Sequence, residues 1–214
     1  MHGSISPSLA QSATRSVGLV AIRVTNKRKP THGRISVAVN LCCAMALRAE
    51  IDRAFAHRPK PSSLIEKRSP ITPEQQDARW FAGRDWRDVR WQDWHEHPDA
   101  FYAFVPQAFV YYLPSILLGT MDAPSGQLQV GDALLGILDR SPEAYNWDAF
   151  ITNRLLGLAP DEYEVLKSWI LSQSGLSHVI DEDRLTRAYE TTDLLARETT
   201  RVRNLLKPNS VSDL

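Results

Sequence analysis

The sequence predicts an all-α protein: a single irregular helical domain around a kinked aromatic-rich helix, with a disordered N-terminal extension and a long charged C-terminal helix. Three observations predict it. Apolar residues recur at three- and four-residue spacing along most of the chain, and no stretch shows sustained alternation. Prolines stand at helix-opening positions, in Thr72-Pro73, Pro98, Pro106 and Ala159-Pro160. Residues 80–112 hold 11 of the 18 aromatic residues, and the charge-free run Phe101–Met121 alone holds six of them with two prolines. Large rings at this density mark where the core is anchored.

The elements follow in order. Ala46 to Ala56 carries apolar residues at Leu47, Ile51, Ala54 and Phe55, a helical stripe that Arg58-Pro-Lys-Pro stops. Residues 57–71 read as a loop. Thr72 is an N-cap, with Pro73 at the first helical position and Gln75 completing a capping box; this helix runs to Phe81 and stops at Gly83. Asp85 caps a segment with Trp86, Val89 and Trp91 or Trp94 on one side. Pro98 opens a short helix with Phe101, Phe104 and Val105 inward. Pro106 opens the next, with Phe109, Tyr112, Leu113 and Ile116 at i, i+3, i+4 and i+7. Pro114 lies inside it, where the ring removes a donor and crowds the Val110 carbonyl, so a kink is expected. Val130–Leu138 is helical, and Ser141-Pro142 leads a turn toward Tyr145, Trp147 and Phe150. Asp161 and Glu162 complement the dipole of a helix that buries Val165, Leu166, Trp169 and Ile170 and stops at Gly175. Asp181 to Leu206 reads as a long, mostly exposed helix with Leu185, Tyr189, Thr192 and Leu195 or Ala196 apolar, ended by Pro208. The expected division is 1–44 as extension, 45–175 as the helical domain and 176–214 as the C-terminal helix.

A formal net charge of zero conceals a basic tail on an acidic body. Residues 1–44 carry six basic residues and no acid, whereas the remaining 170 carry 19 basic and 25 acidic residues. The acidic body lacks the footprint of a nucleic-acid binder, and Lys27–Lys29 is too small a cluster to supply one. The first 44 residues contain no Phe, Trp or Tyr and are rich in Ser, Thr and Arg. Three readings stand for them: a tail upstream of a natural start at Met45, a transit peptide directing the chain to an organelle, or a structural element. Without a targeting role the expected compartment is the cytoplasm. Cys42 and Cys43 are the only cysteines; an adjacent pair makes a poor disulfide and has no zinc-ligand spacing.

Phe101–Met121 has the length of a membrane span. Its two prolines, Gln107 and the absence of flanking Lys or Arg (Asp99 before, Asp122 after) favour a buried helical hairpin instead.

The chemistry-bearing residues are sparse. His95-Glu96-His97 is the one local group with metal-ligand residue types, but on a helix i and i+2 point about 200° apart and cannot easily share an ion. Asp85, Asp88, Asp93 and Glu96 lie beside the tryptophans; a solvated helix face accounts for them unless burial sets one carboxyl apart. Trp80, Trp86, Trp91 and Trp94 read mainly as core, with any surplus exposed as a partner-binding patch. Ser172-Gln-Ser-Gly lacks the preceding strand of a nucleophile elbow. The 10 glycines form no phosphate-cradling loop, and His57 and His178 have no evident partners.

The order Phe81-Ala-Gly-Arg-Asp-Trp86, Pro98-Asp-Ala-Phe-Tyr-Ala-Phe104, Pro106-Gln-Ala-Phe-Val-Tyr-Tyr-Leu-Pro114 and Leu158-Ala-Pro-Asp-Glu162 resembles a bacterial domain-of-unknown-function family of small cytoplasmic proteins with a Phe-x-Tyr-Tyr-Leu-Pro core motif. The resemblance covers roughly residues 46–173 and implies no catalytic residue. The sequence thus leads to a non-enzymatic interaction protein, inhibitor- or immunity-like, whose surface is sought at Trp86, Asp88, Trp91, Asp93, Trp94 and Glu96. Its partner would be another protein, of basic character, rather than nucleic acid or membrane, with no cofactor. The alternative is a small metal-dependent or acid/base hydrolase using His95, His97 and nearby carboxylates.

Overall fold

The structure, a computed structural model, describes residues 33–66, 70–124, 128–140, 143, 147–176 and 181–206, with side chains described from Cys43. Among the described residues the chain forms α-helices and short 3-10 turns, with no strand beyond one isolated bridge between Ile65 and Phe104. The helices are α1 (Gly33–Phe55), α2 (Pro73–Trp80), α3 (Trp91–Glu96), α4 (Ala100–Ala103), α5 (Pro106–Asp122), α6 (Gln129–Leu138), α7 (Ala149–Leu155), α8 (Pro160–Ser172) and α9 (Glu182–Leu206). None is long and apolar enough to cross a membrane.

The centre of the fold is α5. Twelve of its 17 residues are buried, because α1, α3, α6 and α7 all pack on it. A helix apolar all round has no other stable place in a globular body. Pro106 stands at its start, and Pro114 lies inside the run without ending it. The bend expected at Pro114 follows from its ring meeting the Val110 carbonyl. Two aromatic clusters lock α5 to its neighbours. Phe81, Trp94, Phe104 and Tyr112 form one, with centroids 4.6–5.4 Å apart for the Phe81–Trp94, Phe81–Phe104, Phe81–Tyr112 and Phe104–Tyr112 pairs. Phe109 joins Phe101 and Phe150 in the other, each 5.9 Å away.

Buried indoles need an acceptor, and α5 supplies two in the same way. Trp94 Nε1 donates to Ser115 Oγ at 3.1 Å, and Ser115 Oγ donates back to the Tyr112 carbonyl at 2.6 Å. Trp169 Nε1 donates to Thr120 Oγ1 at 2.8 Å, and Thr120 Oγ1 donates to the Leu117 carbonyl at 2.8 Å. Gly131 of α6 sits against this second relay: a Cβ there would lie 2.3 Å from Thr120 Cγ2. The hydroxyl is already committed on both sides, and threonine is stiff at χ1, so the close approach of α6 to α5 requires glycine.

The local signals of α2 hold. Thr72 Oγ1 accepts from the Gln75 amide, the Gln75 side chain accepts from the Thr72 amide, and Gly83 beyond the helix has φ +79°. The α8 face Val165, Leu166, Trp169 and Ile170 is fully inward. In α1, Leu47, Ile51, Ala54 and Phe55 are the buried stripe, as spaced.

Three features differ from the sequence reading. The helical segment expected from Asp85 to His95 is split into a 3-10 turn, Trp86–Asp88, and α3, with Val89 and Arg90 extended between them. Helix α1 begins at Gly33 and passes through Met45 without a break. Cys43 to Ala46 are exposed in succession, so this part of the helix stands clear of the body before core contact starts at Leu47. The rest of the expected extension, residues 1–32, lies outside the described residues. Helix α9 is not mostly exposed: it packs on α8 and α6 and buries Leu185, Ala188, Thr191, Thr192, Leu195 and Thr199. Half of that stripe is threonine, which hydropathy does not flag. Thr192 bonds back to the Ala188 carbonyl and Thr199 Oγ1 meets the Tyr163 hydroxyl at 2.7 Å, so these two are satisfied internally, whereas the Thr191 hydroxyl has no partner among the described residues.

Candidate functional site

The tryptophan-rich segment divides into a sealed part and an open part. Trp86 and Trp94 are 1% and 0% exposed, respectively, and present no surface, which removes them from the interaction face expected from sequence. Trp86 is drawn in because the 3-10 turn Trp86–Asp88 lies on α5, and Trp94 because α3 does. Asp85 and Asp93 serve the backbone. Asp85 Oδ1 accepts the Arg87 amide at 2.9 Å, and Asp93 Oδ2 accepts the Arg90 amide at 2.6 Å, opening the turn and α3.

What remains outside is coherent. Trp91 opens α3 half-buried, its α-carbon close to Gly119 of α5. Trp80 ends α2 half-buried and meets the other end of α3: its ring lies 5.0 Å from that of His97, the C-cap residue of α3. The Arg84 guanidinium lies 3.5 Å from the Trp80 ring centroid, a cation–π contact at the surface. The two half-open indoles therefore frame the six-residue α3, about 9 Å long at 1.5 Å per residue. Between them α3 shows solvent Gln92, His95 and Glu96. Asp88 and Glu96 are exposed and have no charged partner among the described residues, so both carboxylates remain open for an external cation.

The histidines are not brought together. His95 is exposed, 6.4 Å from Trp91 ring to ring. His97 is half-buried against Trp80, with Nδ1 3.4 Å from Asp77 Oδ1. No group of three His, Cys, Asp or Glu side chains converges as a metal site among the described residues.

A second charged constellation lies elsewhere. Glu162 is fully buried at the start of α8; its carboxylate accepts Arg58 Nε at 2.5 Å, a second bond from Arg58 Nη2, and the Ala159 amide at 2.6 Å. His57 Nε2 stands 3.9 Å away. Every oxygen of this carboxylate is committed to fastening the end of α1 onto α8, which leaves it a structural pair. On α8, burial works against the charge of Lys167, but Glu164 at 2.8 Å and Asp193 at 3.4 Å outweigh it and hold its pKa above the usual lysine value.

Sequence reasoning missed Trp80 and Arg84 as surface partners. Their i, i+4 spacing was the available signal, weakened by Gly83 between them. No family model, no curated protein and no solved structure matches the chain.

Proposed function

We propose that this chain is a non-enzymatic protein-interaction module of the inhibitor or immunity type, and that the outer face of α3 with its two framing tryptophans docks the partner. The observation that carries the reading is the pair Trp80 and Trp91, held half-open at opposite ends of an exposed helix while their neighbours Trp86 and Trp94 are sealed. Rigid aromatic anchors with arginine beside them are the composition of binding hot spots. The open carboxylates of Asp88 and Glu96 suit a partner with a basic surface. A cytoplasmic, bacterial setting and the family of the Phe-x-Tyr-Tyr-Leu-Pro motif belong to the same proposal, supported by residues 109–114.

The test starts with capture by the full chain, identification of the bound protein, and titration of the purified pair. Trp80→Ala, Trp91→Ala and Glu96→Lys should each weaken that purified complex about tenfold or more. Leu171→Ala, on the exposed side of α8, should leave it unchanged. A complex indifferent to all three α3-face substitutions would refute the reading.

A further inference from the structure

A cavity of about 540 Å³ opens between residues 60–66 and the C-terminal part of α2, a volume within the range of small-molecule sites. Its walls are held in place rather than draped. The Val105 amide donates to the Leu64 carbonyl at 2.8 Å, and the Gln75 side chain donates to the Glu66 carbonyl at 3.0 Å. Lys60 Nζ donates to the Gly83 carbonyl, tying the near end of the segment to the end of α2. A site braced this way binds without paying for ordering.

Most polar side chains of the lining are already spent: Ser63 Oγ donates to the Ile65 carbonyl at 2.9 Å, while the exposed Ser62 hydroxyl stays open. The Tyr112 hydroxyl, behind the cavity, shares its proton between the Phe81 and Arg84 carbonyls at 2.8 and 2.9 Å, so it offers no free donor. The Gln75 oxygen accepts the Thr72 amide while its nitrogen is committed to Glu66. Leu64, Ile65 and Ile71 complete an apolar lining. Unspent charge sits at the rim. Lys60 and Arg79 are both exposed, and neither has a carboxylate partner among the described residues. The one carboxylate on the wall, Glu66, lies near enough to Arg154 to support that guanidinium's charge.

We propose that this cavity binds a small apolar monocarboxylate, with its hydrocarbon body against Leu64, Ile65 and Ile71 and its carboxylate at the rim between Lys60 and Arg79. A lining whose Tyr112, Gln75 and Ser63 groups are committed disfavours a ligand that is polar throughout, and two cations without carboxylate partners at the mouth favour an anion over a neutral amphiphile of the same size. This inference is independent of the α3-face reading.

Calorimetric titration of the full chain with octanoate and with octanol tests it. Octanoate should bind saturably at one site and octanol about tenfold or more weakly. Lys60→Ala and Arg79→Ala should each weaken octanoate several-fold; Arg79→Ala should leave the melting temperature unchanged, and Lys60→Arg, which keeps a cation able to reach the Gly83 carbonyl, should keep the affinity. Ile71→Asp, at an exposed position on the wall, should abolish binding by placing a charge against the hydrocarbon body. Equal affinity for octanoate and octanol, no saturable binding at millimolar octanoate, or wild-type affinity in both alanine variants would each overturn the proposal.

Discussion

Helix α5 and the α2–α3 face draw on the same aromatic residues and put them to opposite uses. Around α5, Phe81, Trp94, Phe104 and Tyr112 interlock with almost no exposed surface, and the buried indoles of Trp94 and Trp169 each find a hydroxyl on it. On the α2–α3 face, Trp80 and Trp91 are packed on one side only, and their polar neighbours Arg84, His95 and Glu96 reach solvent. Aromatic density therefore locates the core, whereas the proposed docking face uses the rings that the core did not finish covering. Trp91 and Trp94, three residues apart on one short helix, are the sharpest form of the contrast.

The largest effect should separate those two residues. Trp94→Ala empties a fully buried site and leaves Ser115 without its donor; it should cost about 3–5 kcal/mol in denaturant unfolding, against about 1 kcal/mol for Trp91→Ala. Comparable losses would erase the distinction between core and rim. Arg58→Ala should come next, at about 3 kcal/mol, because it strands the buried Glu162 carboxylate. Replacing both members, Arg58→Met with Glu162→Leu, should recover much of that loss; if the double variant is no better than the single, the pair is not what fastens α1 to α8.

Tyr163 extends the test to pH. Burial, ahead of the Glu162 charge, raises its pKa from 10.0 to about 12, with Thr199, Arg203 and Arg58 acting in the other direction. The folded protein thus favours the neutral phenol. That stability is fully present below pH 10.0 and is lost as pH rises through about 12, because the unfolded chain releases the proton first. The loss is on the order of 2–3 kcal/mol. Unfolding midpoints followed across this range should fall less steeply in Tyr163→Phe, and identical slopes would exclude the residue as the cause. Thr120→Val keeps the shape of the α5–α6–α8 junction but removes the acceptor of Trp169 Nε1; about 1–3 kcal/mol is expected by the same measurement. At the small end, Arg187→Ala breaks a surface pair with Asp139, whose carboxyl the Arg187 hydrogen bond holds below its usual pKa, and should move the unfolding midpoint least of these variants.

The α2 capping box, the proline-started α5 and the inward face of α8 were legible because each signal lies within four residues of the backbone group it satisfies. The division of the tryptophans was not. Spacing placed Trp86, Trp91 and Trp94 near one another on a wheel, but only the position of α3 against α5 decides that Trp94 reaches Ser115 while Trp91 stops at Gly119. The buried stripe of α9 was half concealed for another reason: Thr192 hides its hydroxyl by bonding to its own helix and Thr199 by bonding to Tyr163 and the Leu156 carbonyl, whereas a hydropathy pattern scores both as polar.

By itself, then, the sequence determined an all-α chain, the boundaries of its capped helices, and a core centred on Phe101–Met121. The tertiary structure alone decided which tryptophans stay open, that Glu162 is paired with Arg58 across 104 positions, and that the unremarkable loop 60–66 walls a cavity rimmed by unpaired cations. Helix formation answers to neighbours along the chain, where periodicity and caps are written. Burial and charge pairing answer to neighbours in space, and here those come from segments that share no local pattern.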